Sequence, residues 1–138
     1  MDRRAEPTRT LARIAGPWML LAGVAVALRR DRMMGVLDAF AADPALSFVS
    51  GVFTLLLGLI VIAVHQKWGG VTQVIISLLG WLLALRGAVL LFAPEDMVAL
   101  AHRVVGYGPG PMGVAGAVMA VIGLYLTLIG YARKIVTL

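Results

Sequence analysis

Three side chains in this sequence have types and positions that could support chemistry: Arg86, His65 and His102. Arg86 stands inside the apolar run GWLLALRGAVLLF, where a guanidinium can contact an anion or a substrate. The two histidines raise the hypothesis of a bound haem, because imidazoles on facing helices can ligate its iron. Both hypotheses depend on the elements that carry these residues.

The chain is unusually apolar, and its hydrophobic residues predict membrane spans. Of its 138 residues, 61% are hydrophobic and 14% are charged, whereas soluble domains average about 45–50% and about 25%. The excess lies in four runs, each near or above the ~18 residues that cross a bilayer: Leu11–Leu28, Leu46–Val64, Val71–Ala93 and Pro111–Ala132. A soluble protein with four buried helices is disfavoured, because these runs leave hardly any polar face. We therefore predict an all-α integral membrane four-helix bundle, with residues 1–138 forming a single membrane domain.

An internal repeat is indicated by landmarks at nearly constant spacing. Gly51 recurs as Gly116 and Gly58 as Gly123 at the same offset, and Gly23 recurs as Gly87 at an offset shorter by one. Segments 29–45 and 94–110 are equal in length, with apolar residues at i, i+3, i+4 and i+7, which predicts a short amphipathic surface helix in each. We expect two parallel-repeat helical hairpins, 11–64 and 71–132, each made of a span, a surface helix and a second span.

Small residues form a stripe along each span and predict how the helices pack. Their spacing alternates between three and four residues, which is typical of a left-handed bundle with crossing angles of roughly 20°. We interpret the glycines of these stripes as helix contact points, with a ligand groove as the alternative: Gly51, Gly58, Gly80, Gly87, Gly116 and Gly123.

Arg86 is predicted to lie well inside its span. It precedes Ala93 by seven residues, which places its α-carbon roughly 10 Å inside the end of the span at ~1.5 Å per residue. The functional interpretation is an anion or substrate contact inside the bundle. The structural alternative is a snorkelling arginine bonded to backbone carbonyls or to an acidic residue of a surface loop: Asp38, Asp43, Glu95 or Asp96.

The predicted topology argues against haem. His65 ends the second span and His102 lies in the loop at the opposite side of the membrane, so about 30 Å of hydrocarbon separates them. We expect His65 to lie at the membrane interface with Trp68 and His102 to face water. No other cluster with metal-ligand, carboxylate-pair or nucleophile–base spacing occurs, and no acidic residue lies within a span. We expect no cofactor, no metal and no enzymatic activity.

The charge distribution predicts an orientation. The net charge is +5, but no basic run interleaved with aromatic residues indicates nucleic-acid binding. With both termini in the cytoplasm, seven Lys and Arg residues lie on the cytoplasmic side and four on the other, which the positive-inside rule favours. The N-terminus imitates a secretory signal, but Arg29, Arg30 and Arg32 follow its apolar run. We therefore expect the first helix to be retained.

One segment resembles a group of known proteins. The order His65, Trp68, Leu79-Gly80-Trp81, Arg86-Gly87 and Pro94 resembles small uncharacterised bacterial inner-membrane proteins, and the similarity covers about 30 of the 138 residues. The resemblance implies a bacterial inner-membrane location and a recurring basic residue at the position of Arg86. Those proteins have no assigned activity to carry over.

Three functional hypotheses follow from the sequence. The first is a non-enzymatic accessory or scaffold subunit that packs against a larger membrane complex or against itself, because all four spans carry small-residue faces. The alternative is a small anion transporter or channel that uses Arg86 for selectivity. A third is the binding of lipid or pigment in grooves between the helices.

Overall fold

The computed structural model describes residues 6–132, which form six α-helices. Four of these helices are long and apolar enough to cross a membrane: α1 (Glu6–Leu28), α3 (Pro44–Val64), α4 (Val71–Phe92) and α6 (Pro109–Tyr131). Two shorter helices, α2 (Met33–Ala41) and α5 (Pro94–Gly106), connect the spans. The predicted all-α four-helix bundle is therefore confirmed, and the fold is that of a multi-pass membrane protein.

Proline and capping residues set the starts of three helices. The Asp43 carboxylate accepts hydrogen bonds from the backbone N–H groups of Ala45 (3.0 Å) and Leu46 (3.1 Å), and Pro44 occupies the first turn of α3. Prolines also stand in the first turns of α5 and α6. As a result, α3 and α6 each begin two residues before the runs in the sequence, and the described part of α1 reaches back to Glu6, five residues before its run.

The closest helix packing joins the two predicted repeats. In the described part of the chain, α1 packs along α6 and α3 packs along α4, whereas α1 contacts α4 less extensively and no extensive contact joins α3 to α6. The bundle is therefore two closely packed helix pairs that meet through α1 and α4. The two edge helices, α3 and α6, each pack mainly along a single neighbour.

Glycines allow the backbones of each pair to approach closely. A Cβ at Gly23 would lie 2.6 Å from the Gly116 carbonyl oxygen, and one at Gly87 would lie 2.6 Å from the Leu55 α-carbon. Each contact between α1 and α6 has a counterpart between α3 and α4 at the same nearly constant offset along the chain. In the following list the contact between α1 and α6 comes first and its counterpart second: Gly16 with Thr127 and Gly80 with Ile62; Gly23 with Ala120 and Gly87 with Leu55; Gly116 with Ala27 and Gly51 with Leu91; Gly123 with Leu20 and Gly58 with Ala84. The two halves of the chain thus build their helix contacts from corresponding residues.

The hydrophobic core fills the half of the bundle nearest the chain termini. We call this end, with residues 6–10, the link 65–70 and Ala132, the terminal end. The core consists of Ala12 and Met19 of α1, Ile76 of α4 and Leu126 of α6, all buried. The opposite end carries α2 and α5, and we call it the capped end.

Arginines connect α1 to α6 at the terminal end. The Arg9 and Arg13 Nε–H groups both donate to the Gly130 carbonyl oxygen, at 3.2 and 2.7 Å, and the Arg13 guanidinium lies 5.7 Å from the centre of the Tyr131 ring. These bonds satisfy a carbonyl in the last turn of α6, where cations also interact favourably with the helix dipole.

Candidate functional site

The two short helices contact each other across the capped end, and one side-chain pair joins them. His102 Nε2 of α5 lies 2.9 Å from the Asp38 carboxylate of α2. The other ring nitrogen, Nδ1, lies 3.0 Å from the Val98 carbonyl oxygen. Because both nitrogens face acceptors, only the imidazolium form can donate both hydrogen bonds. The bond to Asp38, with a further contribution from Val98, raises the pKa of His102 above 6.5. His102 therefore links the helices instead of only facing water.

A cavity of about 500 Å³ lies beneath these two helices. Thirteen of the described residues line it, and twelve of them are apolar. Met33 and Phe40 are among those from α2, Met97 and Val104 among those from α5, and Met112 comes from α6. The apolar faces of α2 and α5 therefore point into a space between these helices and the spans.

Arg86 is the charged residue of this lining, and it comes from α4 together with Leu90. It follows Leu79 by seven residues, or two helical turns, so the two side chains share one face of α4. Leu79 packs against the core at the terminal end. Arg86 is itself exposed and lies at the edge of the buried face of α4, about 9 Å below the end of the helix, from six residues at ~1.5 Å each.

No hydrogen bond or ion pair joins Arg86 to another residue within the described range 6–132. Two of the acidic residues considered as partners have other contacts, since Asp38 bonds to His102 and Asp43 caps α3. Glu95 and Asp96 are in the first turn of α5, where carboxylates stabilise the helix dipole. The guanidinium is therefore, within that range, an unpaired cation beside an apolar cavity.

His65 and Trp68 lie at the terminal end, but their environments differ. Trp68 is 55% exposed, as a residue at a membrane interface can be, whereas His65 is 0% exposed. His65 Nδ1 lies 3.4 Å from the Thr8 hydroxyl of α1, and Nε2 has no hydrogen-bond partner among the described residues. Burial lowers the pKa of His65 below 6.5. The expected position of His65 beside Trp68 in an aromatic belt is thus replaced by a buried position against α1.

The six glycines predicted to be packing residues all lie at interhelical contacts. A Cβ at Gly80 would lie 2.7 Å from Val61, and a Cβ at Gly51 would lie 3.1 Å from Leu90 and Leu91. Gly58, Gly87, Gly116 and Gly123 approach neighbouring backbone still more closely. These glycines therefore stabilise the fold, and none of them lines the cavity.

A second space of about 500 Å³ opens at the terminal end, with a more polar lining that includes Arg9, Gln73 and Tyr125. Within it, the Thr72 and Tyr125 hydroxyls lie 3.2 Å apart. Arg9 in this space donates a hydrogen bond to the Gly130 carbonyl oxygen. It therefore differs from Arg86, which is unpaired among the described residues and lies in the lining of the cavity at the capped end.

The two histidines lie at opposite ends of the bundle, so they cannot share one iron. Residues 6–132 contain no group of three or more His, Cys, Asp or Glu side chains arranged to hold a metal. The cavity at the capped end, with Arg86 at its lining, is the candidate site for an organic ligand.

Comparisons with protein-family models, curated proteins and solved structures gave no match. The class of protein is therefore defined by the fold itself: an all-α membrane protein with four spans and two short helices that cap one end of the bundle.

Proposed function

We propose that this protein binds an anionic ligand in the capped-end cavity, with Arg86 as the anion contact, and that it catalyses no reaction. The observation that carries the proposal is the position of Arg86 in the lining of an otherwise apolar cavity, unpaired within the described range 6–132. A charge at membrane depth is costly, on the order of 2.5–3.5 kcal/mol at the centre of a span. A bidentate bond to a carboxylate or phosphate would offset part of this cost.

Binding is favoured over conduction because the cavity does not continue through the bundle. Ala12, Met19, Ile76 and Leu126 form a buried core between the cavity and the terminal end. An anion that moved from Arg86 to the terminal end would have to separate these side chains. Transport through the bundle, the alternative based on Arg86, therefore requires a large rearrangement of the core.

Equilibrium dialysis of radiolabelled benzoate against the full chain in nanodiscs of neutral phosphatidylcholine tests the proposal. We expect saturable binding to the wild type that is lost in Arg86→Ala, whereas the neutral isostere benzyl alcohol binds both equally. Arg103→Ala is the matched control, because Arg103 is an exposed arginine of α5 outside the cavity lining. Equal benzoate binding by wild type and Arg86→Ala contradicts the proposal.

Proteoliposomes separate binding from transport. With the same protein, we expect benzoate to bind without a benzoate flux above that of empty vesicles. A flux that disappears in Arg86→Ala would instead support the transporter alternative.

A role as an accessory subunit is a second proposal, and it rests on the edge helices. The glycine stripes that suggested partner contacts are used within the chain, so a partner would have to pack on apolar faces such as that of α3, where Phe48, Phe53 and Leu56 are exposed. Native mass spectrometry after mild extraction tests this proposal. A partner or a second copy is expected, and a monomer in repeated preparations contradicts it.

For location we propose the bacterial inner membrane, with both termini in the cytoplasm. The distribution of basic residues favours this orientation, which would place α2, α5 and the cavity on the periplasmic side. Reporter fusions at the termini and in segments 29–45 and 94–110 test it, and a cytoplasmic signal from either segment contradicts it.

A further inference from the structure

We infer that the ligand of the capped-end cavity is a single-chain anionic amphiphile, with one carboxylate or phosphate group on a long alkyl chain. The inference rests on the proposed function, since it identifies the chemical class of the anion that Arg86 holds. Its basis is the composition, the volume and the single charge of the cavity.

The cavity wall offers polar bonding at one point only. Among the described residues that line it, Arg86 is the one with a polar side chain, and the other twelve are apolar. A sugar, a nucleotide or a polyvalent metabolite carries several polar groups, which would lose their bonds to water and find no partners on such a wall. A ligand with one anionic group and an otherwise apolar body leaves no polar group without a partner.

The apolar wall is also adaptable. Met33, Met97 and Met112 come from three different helices, and methionine side chains are flexible enough to pack around irregular chains. An alkyl chain has many conformations, so a wall of this kind suits it better than a wall shaped for a rigid ring.

Cavity volume favours one chain over two. At about 500 Å³, the cavity lies within the range of roughly 300–1,000 Å³ that encloses a drug-sized ligand. One alkyl chain with a small anionic head is held within a space of this size, whereas a diacyl phospholipid would extend beyond it.

Along the axis of α4, Arg86 lies one helical turn further from the capped end than Leu90, the other lining residue of this helix. The anionic head is therefore placed at the wall that α4 contributes to the cavity. The chain then extends along the apolar faces of α2 and α5, where Leu37 and Val104 lie.

Native mass spectrometry of the full chain in detergent, titrated with defined lipids, tests the inference. We expect palmitate and hexadecyl phosphate to bind with a stoichiometry of one. The neutral hexadecanol and the diacyl lipid phosphatidylglycerol are expected to bind about tenfold or more weakly, because the first lacks the charge-assisted bond and the second does not fit.

Variants separate the charge from the space. Arg86→Gln should weaken palmitate binding about tenfold or more and leave hexadecanol binding unchanged. Ala101→Phe, which places a large side chain in the cavity, should abolish the binding of both. Arg103→Gln should bind palmitate like the wild type. If Arg86→Gln does not fold, two measurements still test the inference. Ala101→Phe tests the use of the cavity, and the comparison of palmitate with hexadecanol on the wild type tests the role of the charge.

Three results would overturn the inference. Equal binding of palmitate and hexadecanol would show that the charge has no role, and preferential binding of phosphatidylglycerol would identify a two-chain ligand. Benzoate binding that depends on Arg86, without palmitate binding, would exclude an amphiphile and leave the proposed function intact. If neither anion binds through Arg86, both proposals fail.

Discussion

The contact between α3 and α4 at Gly58 offers a direct test of the packing. A Cβ at this position would lie 2.7 Å from the Ala84 α-carbon and 2.9 Å from its Cβ, whereas ordinary contacts begin at 3.4 Å. Because the obstacle is backbone, Gly58→Ala must push the two helices apart by several tenths of an ångström. Overpacking of this kind costs about 1–3 kcal/mol.

Alanine also has a higher helix propensity than glycine, worth about 1 kcal/mol, which offsets part of the overpacking cost. Gly35→Ala is the matched control, since Gly35 lies within α2 and a Cβ there would meet nothing within 4 Å. Gly58→Ala should therefore be less stable than Gly35→Ala by about 1–3 kcal/mol. Gly123→Ala, at the corresponding contact with Leu20 in the other pair, should behave like Gly58→Ala.

The assay is unfolding of the full chain in mixed micelles, followed by helical ellipticity as the fraction of denaturing detergent rises. The midpoint gives the free energy of unfolding for each variant. If Gly58→Ala and Gly35→Ala agree within about 0.5 kcal/mol, the range of an ordinary surface substitution, then α3 and α4 do not pack through Gly58.

Three further predictions concern single contacts at the two ends of the bundle. The pKa of His102 should lie above 6.5 in an NMR pH titration, and Asp38→Asn should lower that pKa. The contribution of the link between His102 and Asp38 to stability is complete below pH 6.5 and is lost as the pH rises through the raised pKa. A pKa at or below 6.5 contradicts the link. Arg13→Ala should lower the free energy of unfolding by about 1–2 kcal/mol, because it removes the 2.7 Å bond to the Gly130 carbonyl; an unchanged stability refutes that contact. Gly108→Ala should cost about 1–3 kcal/mol, because the backbone there has φ 103°, and a neutral effect in the same assay would exclude this conformation.

The helices themselves could be predicted from the sequence, because their signals are local. Apolar runs gave the four spans, and the i, i+3, i+4, i+7 spacing gave α2 and α5. The starts of the spans differ where one capping residue decides the boundary, as Asp43 does for α3. Such a cap adds only one or two residues to a helix, and these residues lie outside the hydrophobic run from which the span was predicted.

Which helices pair could not be predicted, because the small-residue stripes of all four spans have the same spacing. Gly23 is compatible with any of the other stripes, and only the folded bundle places it against Ala120 and Gly116 of α6. The parallel repeat remains a prediction about the origin of the chain. The corresponding contacts of the two helix pairs are what such a repeat would produce.

The candidate site depended on tertiary structure in the same way. The sequence placed Arg86 inside a span and left open whether a loop acid pairs with it. The answer depends on α2 and α5, which bring Asp38 to His102 instead. His65 stands at the end of α3, where interfacial exposure was expected, but α1 continues beyond the bilayer run and Thr8 covers it.

The central claim is that Arg86 and the capped-end cavity form a ligand site. Methionine methyl NMR tests this claim most directly. Met33, Met97 and Met112 line the cavity, whereas Met19 is in the buried core at the terminal end. With palmitate added to the methyl-labelled full chain in nanodiscs, the three cavity signals should shift, that of Met19 should not, and Arg86→Gln should remove the shifts. Uniform shifts at all four methyls, or shifts that persist in Arg86→Gln, would contradict this account.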